Sequence, residues 1–279
     1  MMIAKRGMMG VLFSCAVVIG CTDVSTDPQV PVSLQFDSLP ALAVVVGDTM
    51  RGANLLPARV PVRAFNGSGG AVSDTQVRII GIDTGSVRAF TAIGGLQLVG
   101  RLQTPAVRVV AQAGSLQSQT QTFAVVPRPT GLFNIDSAGD SIVYDRPDTA
   151  QRFRDVSLLV FRRIAVESTT VVLNGLRVRL RVVGFTTSLL DSVRIVGTGT
   201  GRDATSALVQ DGSAKLRIKT YVKAGATGTG TIDLEASHRA LGTEVPGSPL
   251  RFSIRLRRFE LPRAGRIVGI PLAPARTLP

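Results

Sequence analysis

The chain has 279 residues, 44% of them hydrophobic, 18% charged and 5% aromatic, with 32 Lys and Arg against 19 Asp and Glu. That apolar content supplies cores for about two domains and excludes a disordered chain, which would be polar and charge-rich. One His excludes a multi-histidine metal centre, and 29 Gly and 15 Pro without a three-residue period exclude a collagen-like helix.

The chain opens with Lys5 and Arg6, followed by an apolar run over 8–20. A run of that length is too short to span a bilayer, which needs roughly 20 residues. A positive start, a short apolar stretch and a small residue at its end describe an export signal over 1–20. Val18-Ile19-Gly20-Cys21 resembles the bacterial lipobox: an aliphatic residue, a variable one, a small one, then Cys. The resemblance implies diacylglycerol on the Cys21 sulfur, cleavage before Cys21 and acylation (palmitate-type chains) of the new amino terminus. Several acyl chains anchor lastingly where one binds only reversibly. The alternative is an ordinary signal peptide that happens to contain a Cys there. Thr22 follows the Cys and Asp23 comes one place later, so the lipoprotein resemblance points to the outer membrane rather than inner-membrane retention. Cys15 lies in the removed segment, which leaves the mature chain one Cys and no intramolecular disulfide. Such a fold must be stabilised by its cores.

Residues 21–29 read as a polar tether. Beyond them, short β-branched runs at 30–36, 41–46, 59–65, 75–80, 86–90, 96–99, 106–111 and 117–126 alternate with turn signals such as Gly47-Asp48 and Asn66-Gly67-Ser68-Gly69-Gly70. No stretch carries a sustained helical period, and this spacing predicts a β-sandwich over 30–127. Leu42-Ala-Val-Val-Val-Gly47-Asp48-Thr49 and Pro105-Ala-Val-Arg-Val-Val-Ala-Gln-Ala-Gly resemble segments of bacterial immunoglobulin-like domains of group 2. Ile79 or Ile80 stands where that family often has a Trp on the third strand.

Pro127-Arg128-Pro129-Thr130-Gly131 opens a linker and first strand region, 128–150. The charge changes across it: residues 21–128 carry 8 basic and 6 acidic side chains, residues 129–279 carry 22 and 13. Strands are again predicted at 156–166, 169–173, 176–183, 192–196, 207–209, 214–222, 230–236 and 250–259, giving a second sandwich over 151–260. Val209-Gln-Asp-Gly-Ser-Ala and Gly228-Thr-Gly-Thr-Ile-Asp-Leu-Glu-Ala loosely resemble invasin-type (group 1) bacterial immunoglobulin-like domains. Residues 261–279 form a Pro-containing tail. The predicted fold class is therefore all-β: two tandem immunoglobulin-like β-sandwiches after a lipoprotein signal peptide.

Three strands of the second unit are basic. Arg177, Arg179 and Arg181 share one face by the two-residue period, opposite aliphatic neighbours. Lys215, Arg217 and Lys219 repeat the pattern, as do Arg255 and Arg257. If adjacent, these strands would make a cationic face able to hold carboxylate or phosphate polymers through Arg forks; otherwise they are solvated faces that guard sheet edges against aggregation. Nucleic acid fits electrostatically, but single-strand binding expects stacking aromatics, which are scarce here. Asp136, Asp140, Asp145 and Asp148 do not match a Ca²⁺ loop and read as turn formers. His238, in Ala236-Ser-His-Arg-Ala240, reads as an exposed turn histidine. No nucleophile elbow, zinc-protease helix or phosphate loop occurs.

The expected function is that of a non-catalytic cell-envelope lipoprotein, lipid-anchored and with no cofactor or metal. It would present immunoglobulin-like domains to an envelope protein or acidic glycan, with no specific nucleic acid as partner. The alternative is a binder of anionic envelope polymer through the Arg-rich face.

Overall fold

The structure is a computed structural model that describes residues 27–73, 75–92, 95–136, 141–144, 151–196 and 204–258; every regular element among them is a β-strand. Cys21, the segment 1–20, the tail 261–279 and the aspartates Asp140, Asp145 and Asp148 lie outside the described residues. Among the described residues no helix is long and apolar enough to cross a membrane.

In Ser33–Phe36 the side chains alternate, with Leu34 and Phe36 buried and Ser33 and Gln35 exposed, because successive residues of a strand face opposite ways. This strand pairs antiparallel with Val62–Phe65, which pairs with Ala71–Val72. The second sheet runs Ala43–Val45, Gln121–Val126, Thr104–Ala113, Arg78–Gly81, with Leu116–Gln117 against the end of the long strand. A separate hairpin joins Val87–Ala92 to Gly95–Gly100. Met50, Val60, Ile79, Leu98, Val107, Val109 and Phe123 fill the core between these sheets. Of the two adjacent isoleucines, Ile79 is buried in this core and Ile80 is only partly buried.

The second unit has two larger sheets. One runs Gly131–Asn134, Gln151–Ile164, Ala214–Val222, Leu190–Val196, with Thr169–Val172 beside the long strand. The other runs Ser141–Tyr144, Leu250–Arg258, Thr229–Ser237, Arg177–Phe185, Ala204–Leu208. The opening strand is split between the sheets, and the long Gln151–Ile164 pairs with Ala214–Val222. Thr229–Ser237 sits between its hairpin partner and Arg177–Phe185. This is the strand pairing of an immunoglobulin-like sandwich. Val156, Leu158, Val160, Val178, Leu180, Leu216, Ile218, Ile232, Leu234, Ile254 and Leu256 interdigitate between the layers. In both units a short early strand runs parallel to the last one: Ala43–Val45 beside Gln121–Val126, and Ser141–Tyr144 beside Leu250–Arg258.

The two units share buried surface. All three residues of Ala43–Val45 are buried: Val44 packs in the first core, while Ala43 and Val45 pack in the second. Leu208 of the second unit packs in return against the first core. The amides of Leu42 and Ala43 both donate to the Gly175 carbonyl at 3.1 Å, and the Gly175 amide donates to Val209 O at 2.7 Å. Of Ala43 and Val45, Val45 is the larger side chain seated in the other unit's core, and burying a Val contributes ~1.5–3 kcal/mol.

Candidate functional site

The basic strands lie on both outer faces of the second sandwich. Arg177–Phe185 and Leu250–Arg258 belong to one sheet but are separated by Thr229–Ser237. That central strand is acidic on its outer side. Glu235 accepts from Arg181 Nε at 2.8 Å and from Arg251 Nε at 3.1 Å, and Asp233 accepts from Ser253 Oγ at 2.6 Å. The hydrogen bond from Arg181 holds the Glu235 carboxyl below the usual carboxylate range, with Arg251 adding to it. Arg177 does not face an external ligand: its Nε donates to the Pro40 carbonyl across the junction and its Nη1 to Ser206 Oγ at 3.3 Å. Burial pushes the Arg177 guanidinium below its ordinary value. The expected run of three Arg on one face is therefore divided: Arg177 is a clamp between units and Arg181 is neutralised by Glu235. Arg179 is half-buried, whereas Arg255 and Arg257 are exposed beside the parallel strand Ser141–Tyr144.

Lys215, Arg217 and Lys219 stand on the opposite sheet. Register places Phe153 beside Lys219 and Lys219 beside Arg194, in one row across three strands. The next row is Asp155, Arg217 and Val196. Arg217 forms a fork on Asp155, with Nε to Oδ1 at 2.7 Å and Nη2 to Oδ2 at 3.0 Å. This hydrogen bond lowers the Asp155 carboxyl, and the nearby Lys215 ammonium contributes. Because both partners are more than half exposed, the pair adds little stability.

The aromatics thought scarce for a binding face are present on this one. The Lys219 ammonium lies 5.5 Å from the Phe153 ring centroid and 5.0 Å from that of Tyr221. The Arg194 guanidinium lies 5.5 Å from the Tyr221 ring, and Arg217 lies 5.8 Å from Phe153. Such contacts are favourable because the ring face is electron-rich. Neither ring could be placed from the sequence, since the cluster depends on pairing between distant strands.

His238 is buried, 2% exposed, not a surface turn residue. It follows Thr229–Ser237 directly and is covered by the junction. Its Nδ1 donates to Arg177 O at 2.7 Å, and its amide donates to Ser248 Oγ at 3.1 Å. Nε2 is buried without a hydrogen-bond partner among the described residues. Desolvation holds the imidazole below its ordinary value of 6.5, and the Arg51 charge acts in the same direction. A folded-state imidazole below its unfolded value means that acid favours unfolding. Stability contributed by neutral His238 is therefore complete above about 6.5 and is lost as the pH falls below it. Urea midpoints measured between pH 7.5 and 5 are expected to fall less steeply for His238→Gln than for the parent chain. The corresponding unfolding free energies should diverge by up to ~1.4 kcal/mol per pH unit. Parallel profiles would refute this role.

Asp136 accepts from the Ser157 amide at 2.8 Å, and its own amide donates to Asn134 Oδ1, so it organises a turn next to the second long strand. Among the described residues no three metal-ligating side chains come together.

No family model and no curated protein matches the chain. Among solved structures it is similar to the Yersinia pseudotuberculosis adhesin InvE, at 12% identity over 80% of this chain and 58% of that one, with a TM-score of 0.30. It is also similar to the Escherichia coli adhesin FdeC, at 13% identity over 82% and 64%, TM-score 0.26, and to domains 4–9 of the surface-layer protein SbsC, at 12% identity over 82% and 32%, TM-score 0.29. The chain thus spans between about a third and two thirds of the length of these solved chains.

Proposed function

We propose that the protein is a non-catalytic cell-envelope lipoprotein, anchored through Cys21, that presents its two immunoglobulin-like sandwiches for structural or adhesive interaction. The observation that supports this most is the junction. A flexible tether between domains would need no shared core, yet Ala43 and Val45 are buried across the boundary, Leu208 packs partly buried against the first core, and Arg177 donates to the Pro40 carbonyl. A stiff two-domain arm on a lipid anchor holds its far end away from the membrane surface, which suits a spacer or an adhesive module. Export with lipid at Cys21 is expected to yield a membrane-extracted species whose mass begins at Cys21 and carries acyl chains, absent from Cys21→Ala. A soluble, unmodified species cut elsewhere would overturn the anchor.

A second reading is binding of an anionic polymer by the second unit, favoured by its 22 basic against 13 acidic residues beyond position 128. The side chains that support it are Lys215, Lys219, Arg179, Arg255 and Arg257, because Arg177, Arg181 and Arg217 are engaged within the fold. Binding of this kind weakens steeply as salt rises, since exposed charges are screened within about 8 Å at physiological ionic strength.

A further inference from the structure

We propose that the outer face of the sheet holding Gln151–Ile164, Ala214–Val222 and Leu190–Val196 binds an acidic polysaccharide, with Phe153, Tyr221, Lys219 and Arg194 forming the contact surface. This rests on the second reading above and assigns it to one of the two faces.

The argument starts from what is costly about this surface. Phe153 is 51% exposed, although a large apolar ring is ordinarily turned inward. It is not stranded among polar groups at random: the Lys219 ammonium and the Arg217 guanidinium lie over or beside it, and Lys219 and Arg194 do the same for Tyr221. Lys219 and Arg194 form ion pairs with no carboxylate among the described residues, whereas Arg217 is neutralised by Asp155. The result is an outer sheet face on which the exposed Phe153 ring and the partly buried Tyr221 ring stand among two uncompensated cations. Its spacing is that of a sheet, about 4.8 Å between strands and about 6.6 Å between same-face residues along a strand.

That combination selects its ligand. Inorganic phosphate or a single small anion would be held by converging donors in a concavity, whereas these side chains stand in rows across three strands on the outer face of a sheet. A bilayer would be met by long cations projecting away from the sheet; here both are folded down over rings. An extended polymer suits the outer face of a sheet, and sugar rings present C–H edges that pack on the open part of the Phe153 ring, which is 51% exposed. Carboxylate or sulfate groups on such a chain would meet Lys219 and Arg194 as charge-assisted partners. The opposite face has Arg255 and Arg257 but neutralises its centre with Glu235 and Asp233.

The test measures binding of the Cys21→Ala chain, which carries no acyl anchor, to immobilised polygalacturonate and dextran sulfate, with neutral dextran and anionic phospholipid vesicles as comparison probes. Retention by both acidic polymers and not by dextran is expected. Phe153→Ala, which leaves the charge unchanged at an exposed position, is expected to weaken binding about tenfold, equivalent to ~1.4 kcal/mol. Lys219→Gln and Arg194→Gln should each weaken it comparably, while the double variant Arg255→Gln, Arg257→Gln should change it less than twofold. Polymer binding that tracks Arg255 and Arg257 and ignores Phe153 would overturn this site and leave the broader polymer reading standing. Absence of acidic-polymer binding would overturn both. Capture by anionic vesicles without polysaccharide binding would assign the face to lipid and overturn the proposal.

Discussion

Gly175→Ala is expected to destabilise the protein by ~2–5 kcal/mol and to split its unfolding into two transitions. Two costs add at this position. Gly175 has φ of +82°, a left-handed conformation that costs an L-residue with a side chain ~1–2 kcal/mol. A Cβ built there would also lie 2.8 Å from both the Ala43 Cβ and the Leu42 carbonyl carbon, and 2.9 Å from the Ala43 nitrogen. These are mostly backbone atoms of the other unit and cannot rotate aside, so the strand Ala43–Val45 must retreat; overpacking of this kind costs ~1–3 kcal/mol. Retreat also lengthens the bonds from Leu42 and Ala43 to the Gly175 carbonyl and withdraws Ala43 and Val45 from the second core. Gly225→Ala separates the two costs. Gly225 has φ of +73° with open space at its Cβ position, so it should lose only the conformational part. Urea denaturation followed by two probes, one in each unit, is the measurement. A Gly175→Ala chain that unfolds in one transition and loses no more than Gly225→Ala would show that the junction carries no coupling energy.

How much of this was visible in the sequence depends on the range of the contacts involved. Strands whose alternation reports their own burial were legible: the predicted 214–222 is the observed Ala214–Val222, and 250–259 ends one residue beyond Leu250–Arg258. Gln151–Ile164 begins five residues earlier than predicted because its charged opening, Arg152 to Asp155, is held by pairing to Ala214–Val222 and not by apolar content. Gly131–Asn134 and Ser141–Tyr144 were hidden among Pro, Gly and Asp, since each is a short half-strand whose partner is far along the chain. Ala43–Val45 could be read as a strand, but not as one buried on both sides, because its second side is covered by a different unit. The candidate site divides in the same way. The period of two put Lys215, Arg217 and Lys219 on one face correctly, but the fate of each cation was set by its cross-strand neighbour: Asp155 for Arg217, Phe153 and Arg194 for Lys219. For Arg177 the deciding neighbour is the Pro40 carbonyl of the first unit, and for His238 it is burial itself, neither of which a local pattern announces.

Asp48→Ala is expected to be the most damaging single substitution at the junction, at ~3–5 kcal/mol, the cost of leaving a buried charge without its partner. The Gly47-Asp48-Thr49 segment looked in sequence like a simple turn, yet the Asp48 carboxylate is a hub of four donors. Arg51 Nε donates to Oδ2 at 2.8 Å and Arg51 Nη2 to Oδ1 at 2.9 Å. The Thr49 amide donates to Oδ1 at 2.8 Å, and the Leu241 amide of the second unit donates to Oδ2 at 2.8 Å. Both side chains of the ion pair are nearly inaccessible, 9% for Arg51 and 7% for Asp48. Removing the carboxylate strands the Arg51 guanidinium with only the Leu55 carbonyl, to which Nη1 donates at 2.7 Å, and leaves the Leu241 amide unpaired at the interface. Arg51→Met should cost less, because Asp48 retains its two amide donors. The double variant Asp48→Ala, Arg51→Met is expected to be more stable than Asp48→Ala alone, since a buried pair replaced by apolar groups forfeits its attraction but also its desolvation penalty. Urea unfolding of the four chains closes this cycle. A double variant whose loss equals the sum of the singles would mean that the pair is not energetically coupled. Recovery in the double variant, accompanied by lasting loss of the coupled transition, would show that the Asp48–Leu241 bond, rather than the ion pair, joins the two sandwiches.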